Sequence, residues 1–174
     1  MGTKIKKILG ILVTVTLTAT STTSLVACNT PNEYTPEKLA KLKKENQINT
    51  NDETIKNNLE WIAPQEKPFN EVDNKWYYVV WRGDKNENWR LIKFKNNTLD
   101  FIEIDNFEKA DLWKSSPYKF GSGQTLNIAW TFKEIYWEND NGTYFKYVYH
   151  WNDEEQKLPD LIIDNDGNVK VNGE

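Results

Sequence analysis

From position 69 to its end the chain alternates β-branched and aromatic residues with polar ones, and Asn, Asp and Gly break the runs at short intervals. A two-residue period places successive side chains on opposite faces and identifies strands. It predicts strands over 75–82, 88–95, 98–104, 126–137, 143–151, 160–163 and 168–171. Turns fall at Gly83-Asp84, at Asn96-Asn97, and over 139–142 and 164–167, with residues suited to reversing a chain. Links this short make neighbouring strands antiparallel, because a parallel pair needs a long crossover. The bridge over 105–124 reads instead as a helical turn at 107–113 and a Gly-rich loop. The expected fold is mainly β: a small antiparallel meander, curled sheet or barrel-like body, preceded by one or two N-terminal helices.

The aromatics pose a packing problem. Over 143–151 the alternation sets Phe145, Tyr147, Tyr149 and Trp151 on one face, opposite Tyr144, Lys146, Val148 and His150. Trp76, Tyr78 and Val80 oppose Tyr77, Val79 and Trp81 in the same way, so this strand is apolar on both faces. A single sheet over one core hides only one of them unless it closes or a helix covers the other. Some rings are therefore expected at the surface, with Tyr147, Tyr149 and Trp151 as a candidate ligand-binding platform of the kind used for carbohydrate or peptide.

Two helices are legible before the strands. Thr35-Pro36-Glu37 reads as N-cap, proline at the first helical position and an acid in the first turn, opening a charged helix to about Asn46. Its apolar residues are little more than Leu39, Ala40 and Leu42, which predicts a solvated stalk. Thr50 with Glu53 has the spacing of a capping box. Ile55, Leu59 and Ile62 then supply one apolar face before Pro64 stops the helix. These signals divide the chain into a leader at 1–27, a tether with a charged helix at 28–49, a helix with a proline linker at 50–68, and the β domain at 69–174.

The leader has its own logic. Lys4, Lys6 and Lys7 precede an apolar run that softens into threonines and serines, the order of an export signal. It ends at Leu25-Val26-Ala27-Cys28, which has the form of a bacterial lipobox with cleavage between Ala27 and Cys28. Ala27 is small enough for close approach by a peptidase, Leu25 suits an apolar subsite, and the Cys28 thiolate is the nucleophile that takes a diacylglyceryl group. Cys28 is the sole cysteine, so no second thiol in the chain can pair with it. The run KKILGILVTVTLTATSTTSLVACN resembles the signal of mollicute lipoproteins of the Spiroplasma type, and YTPEKLAKLKKEN and NLEWIAPQEKPFN resemble members of that group. The resemblance implies a lipid-anchored protein on the outer face of the plasma membrane, and brings with it no settled activity.

Composition narrows the function further. Removing 1–27 takes three lysines and no acids, leaving 19 basic against 26 acidic residues and a net charge near −7. Such a body is repelled by nucleic acid and by anionic headgroups, so attachment falls to the acyl chains, at about 0.8 kcal/mol per buried methylene. One His and one Cys leave no zinc set. A Ser-His-Asp arrangement would have to use His150 with Ser115, Ser116 or Ser122, none in a nucleophile elbow. Gly121-Ser122-Gly123 lacks the Gly-Lys-Thr of a phosphate loop. The sequence thus implies neither cofactor nor metal.

Other motifs have ordinary readings. Arg82-Gly83-Asp84 spells an adhesion tripeptide at a position where a hairpin must turn. Asp164-Asn165-Asp166-Gly167-Asn168 begins like a calcium loop but has Val169 where that loop needs glycine. Glu134 and Glu138, placed on one strand, lie about 13 Å apart, too wide for a glycosidase pair. Asn96-Asn97-Thr98 and Asn141-Gly142-Thr143 match a glycosylation pattern and read as turns. The expectation is a non-catalytic binding or interaction module; the alternatives are an exported hydrolase using acidic residues, or a passive coat protein.

Overall fold

The computed structural model describes residues 33–117 and 123–174, so the leader, the lipobox Leu25 and Val26, and the junction Ala27-Cys28 lie outside the described residues. Two helices come first, α1 (Pro36–Glu45) and α2 (Glu53–Asn58). Ten strands follow: β1 (Leu59–Trp61), β2 (Trp76–Trp81), β3 (Arg90–Lys95), β4 (Ile102–Phe107), β5 (Ala110–Ser115), β6 (Thr125–Trp130), β7 (Lys133–Tyr136), β8 (Phe145–Trp151), β9 (Leu161–Ile163) and β10 (Val169–Val171). They form a four-stranded sheet in the order β1-β8-β2-β3, a four-stranded meander β4-β5-β6-β7, and the hairpin β9-β10. Every pairing is antiparallel. The mainly β, antiparallel architecture expected from the alternation is present, with open sheets in place of a closed barrel.

The first sheet lies at the centre, which resolves the packing problem. On one side Tyr77, Val79, Trp81, Phe94 and Val148 share a core with Leu112, Leu126 and Ile128 of the meander. On the other, Tyr78, Val80, Tyr149 and Trp151 pack against Ile55 of α2 and Val169 of the hairpin. The two-faced strand is thus buried from both directions, and Trp81 and Trp151 are almost fully enclosed. Rings of this size contribute the largest part of such a core.

The structure corrects four local expectations. The aromatic face expected of β8 loses Phe145 and keeps Tyr147, Tyr149 and Trp151 on the outer core: a register shift between Val80 and Trp81 pairs Val80 with Tyr147 and Trp81 with Phe145. A residue inserted in a strand re-aims what precedes it, and Phe145 joins Val148 in the meander core. The expected strand 126–137 is a hairpin, turned at Thr131-Phe132 without Gly, Asn or Asp. The expected helical turn 107–113 is instead part of a hairpin, in which Glu108 takes φ +54 and Ala110, Leu112 and Lys114 point inward. The helix begun near Thr50 is shorter than its apolar spacing suggested. Asp52 caps it, accepting from Thr54 N at 2.8 Å and Ile55 N at 3.1 Å, and Leu59 leaves the helix to pair with Trp151.

Helix α1 is capped by Thr35 as expected, and none of its residues is buried. It is nevertheless held to the body, by polar contacts where the sequence implied a solvated stalk. Gln65 brackets the main chain of Tyr34, Lys43 Nζ contacts Glu60 and Glu66 at 2.5 Å each, and Tyr149 Oη donates to Asn46 O at 2.9 Å.

Candidate functional site

A groove of 520 Å³ opens where the segment after α1 runs past the hairpin. One wall is the extended stretch 46–51, the other is β10, and Tyr147 and Tyr149 form the floor. The wall segment is irregular because Asn46 ends α1, its N–H reaching Leu42 O at 2.9 Å, and Asp52 begins α2. Ile48 anchors it by burial on the outer core. Thr50 Oγ1 donates to Glu174 Oε1 at 2.9 Å, closing one end.

The floor tyrosines differ in availability. Tyr149 is buried, and its hydroxyl is committed to Asn46. Tyr147 is half-buried, packs tilted against Tyr149 with ring centroids 5.8 Å apart, and its hydroxyl has no hydrogen-bond partner among the described residues. Burial, reinforced by the Asp164 charge, pushes the Tyr147 phenol up, so at neutral pH it is a neutral group able to donate and accept. The side chains of Asn49 and Asn51 on the wall are exposed, again with no partner among the described residues. Glu45, Asp164 and Glu174 outnumber the one lysine of the lining, Lys170, which is paired with Asp164 at 3.1 Å. The groove therefore offers one aromatic hydroxyl, two amides and an acidic rim.

Of the three residues expected to form a platform, the structure brings Tyr147 and Tyr149 together in this groove and sends Trp151 elsewhere. Trp151 is buried, donates from Nε1 to Glu154 O at 3.0 Å, and borders a separate pocket of 300 Å³ with Trp76, Lys75 and Lys95. The wall residues Asn49 and Asn51 were not singled out by sequence reasoning. Their only signal is a run of polar residues between two helix ends.

The remaining motifs find structural employment. The Arg82 guanidinium stacks on Trp89 at 4.2 Å and Nε donates to Thr143 O at 2.7 Å, while Asp84 accepts from Asn86 N at 2.9 Å. Asp164 Oδ1 accepts from Asp166 N and Asn168 N at 3.0 and 2.9 Å, and the bond from Asn168 N, with the Asn168 side chain and the Lys170 ammonium, holds its carboxyl well below the usual carboxylate range. This is the hairpin turn read from the sequence, with Gly167 at φ +80. Glu134 lies in β7, bonded to Tyr136, and Glu138 lies in a short 3-10 turn, bonded to Thr125, so they do not share one strand. Ser115 bonds Asn127 and is remote in pairing from His150. Among the described residues no group of three or more His, Cys, Asp and Glu is placed to hold a metal ion.

The densest charge cluster lies beside α1. Glu60 Oε2 sits 3.0 Å from His150 Nε2, and Glu60 Oε1 meets Lys43. Burial pushes the Glu60 carboxyl up, but the bonds and charges of Lys43 and His150 outweigh it and hold its pKa at about 2. Burial pushes the His150 imidazole down despite Glu60. Tyr77 meets its ring edge-on at 5.8 Å, and no serine hydrogen-bonds to it among the described residues.

No protein-family model matches the chain, and no curated protein or solved structure matches it either. No helix among the described residues is long and apolar enough to cross a membrane.

Proposed function

We propose that the chain is a lipoprotein of the mollicute type, anchored through Cys28 to the outer face of the plasma membrane, whose β domain is a non-catalytic binding module. The Leu25-Val26-Ala27-Cys28 lipobox after a lysine-led apolar run supports the anchor. The observation that carries the binding role is the groove of 520 Å³ floored by Tyr147, whose hydroxyl is uncommitted. Its volume lies within the range of ligand sites, and an aromatic floor with a few polar groups suits oriented binding. The carboxylates that a hydrolase reading would recruit are engaged elsewhere: Glu60 by Lys43 and His150, Asp164 by its own turn, Glu138 by Thr125.

Two experiments test this reading. Cys28→Ser should leave an unprocessed precursor that takes up no labelled fatty acid; persistent incorporation removes the anchor claim. Capture of host-surface material by the full chain should be lost in Asn49→Trp, which fills the groove from an exposed wall position, and equal capture by both proteins removes the groove from the function.

A further inference from the structure

Resting on the groove as the binding site, we infer that its ligand is an extended, lysine- or arginine-bearing peptide that adds as a strand to the free edge of β10. The bonding pattern of the hairpin sets up that edge. Asp164 N donates to Asn168 O at 3.0 Å and Asn172 N to Asp160 O at 2.9 Å. In an antiparallel ladder bonded positions alternate, so 168, 170 and 172 face β9 while Val169 and Val171 turn their main chain the other way, along the groove. Their side chains are buried or half-buried on the outer core, which fixes the edge in place. The N–H and C=O of Val169 and the N–H of Val171 have no partner among the described residues; the Val171 carbonyl receives only Glu174 N at 3.4 Å.

Unpaired strand edges are templates for another strand, and proteins that do not use them cover or charge them. This edge opens onto a groove instead. Three residues span about 10 Å at the strand rise of ~3.3 Å per residue, enough for three or four residues of an added peptide. Main-chain bonds give such complexes affinity and the flanking pockets give selectivity. Tyr147 lies beneath the path, and Asn49 and Asn51 stand across it. Selectivity for cations follows from charge: Glu174 borders the groove with no cationic partner among the described residues, Glu45 meets only the exposed Lys41 at 3.4 Å, Lys170 is neutralised by Asp164, and the domain as a whole is acidic.

The test uses the full chain in detergent with four probes: a blocked hexapeptide of alternating lysine and valine, its glutamate counterpart, the lysine peptide N-methylated at alternate residues, and a neutral hexasaccharide. The lysine peptide should bind saturably and slow hydrogen exchange at the Val169 and Val171 amides at least tenfold. The glutamate and N-methylated peptides should bind at least tenfold more weakly. Val171→Pro removes an edge donor that the hairpin does not use and should abolish binding; if that variant misfolds, the N-methylated peptide probes the same bonds on the unaltered protein. Absence of lysine-peptide binding, equal binding of the N-methylated form, or binding without protection at 169 and 171 overturns strand addition. Hexasaccharide binding that Asn49→Trp blocks, without peptide binding, overturns the inference while leaving the groove reading standing. Failure of every probe overturns the inference, whereas equal capture of host-surface material by the wild type and Asn49→Trp removes the groove reading.

Discussion

Asn96→Ala is predicted to be among the most damaging polar substitutions in the domain. Asn96 is fully enclosed, and its Nδ2 donates to Glu71 O at 2.8 Å and Asp73 Oδ1 at 3.0 Å, with Pro68 O at the limit of 3.5 Å. Its Oδ1 accepts from Lys114 Nζ at 3.2 Å, and Lys114, also fully enclosed, otherwise donates to Thr98 O. The amide thus ties the segment before β2 to the meander. Asp73 keeps Tyr77 Oη at 2.6 Å and Lys75 N at 3.1 Å after the substitution, so it suffers least. The part-buried bond to the Glu71 carbonyl is lost at about 0.5–1.5 kcal/mol, and the enclosed ammonium loses an acceptor, at about 1.5–3 kcal/mol for a charged bond. The sum is about 2–4.5 kcal/mol. For a domain of this size the melting temperature should fall by on the order of 5–15 °C. Urea unfolding of the protein, followed by tryptophan fluorescence, measures the loss directly. A loss below about 1 kcal/mol refutes the reasoning, because it means that the network is dispensable or that water replaces it.

Acidification should weaken the fold in two steps. Burial lowers the folded His150 pKa, so the unfolded state binds the proton first and stability begins to fall just below 6.5; Glu60, held at about 2 against 4.5, withdraws its contribution between pH 4.5 and 2. Because Glu60 is partly exposed, screening limits that second step to about 1–2 kcal/mol, and Glu60→Gln should flatten it in urea midpoints measured across pH. Gly167→Ala combines φ +80 with a Cβ 2.5 Å from Trp89 Cγ, and should lower stability by about 1–3 kcal/mol in denaturant titrations. Phe132, 98% exposed at the β6-β7 turn, packs on almost nothing, so Phe132→Ser should leave the unfolding midpoint within about 0.5 kcal/mol of the wild type.

The sequence alone determined whatever rests on local chemistry. Thr35-Pro36 announces α1 because a cap and a proline act within one turn, and 164–167 announces a hairpin because Asp164 bonds the amides just beyond it. Alternation in 76–81 marked a strand apolar on both faces before any partner was known, although it also suggested that some of its rings would stay at the surface, where the structure buries them. What covers those faces was decided only by tertiary structure. β8 enters between β1 and β2 because that register buries Tyr149 and Trp151 beneath a helix and hairpin far away in the chain. β5 was hidden by Lys114, whose inward ammonium is made tolerable by acceptors at Asn96 and Thr98 that no window of neighbouring sequence contains. The bulge that turns Phe145 inward likewise arises from pairing with β2, not from the residues around it. The groove belongs to the same class. Tyr147 was legible as an aromatic in a strand, but its wall and its open edge come from 46–51 and 169–171, and only folding places them on either side of it.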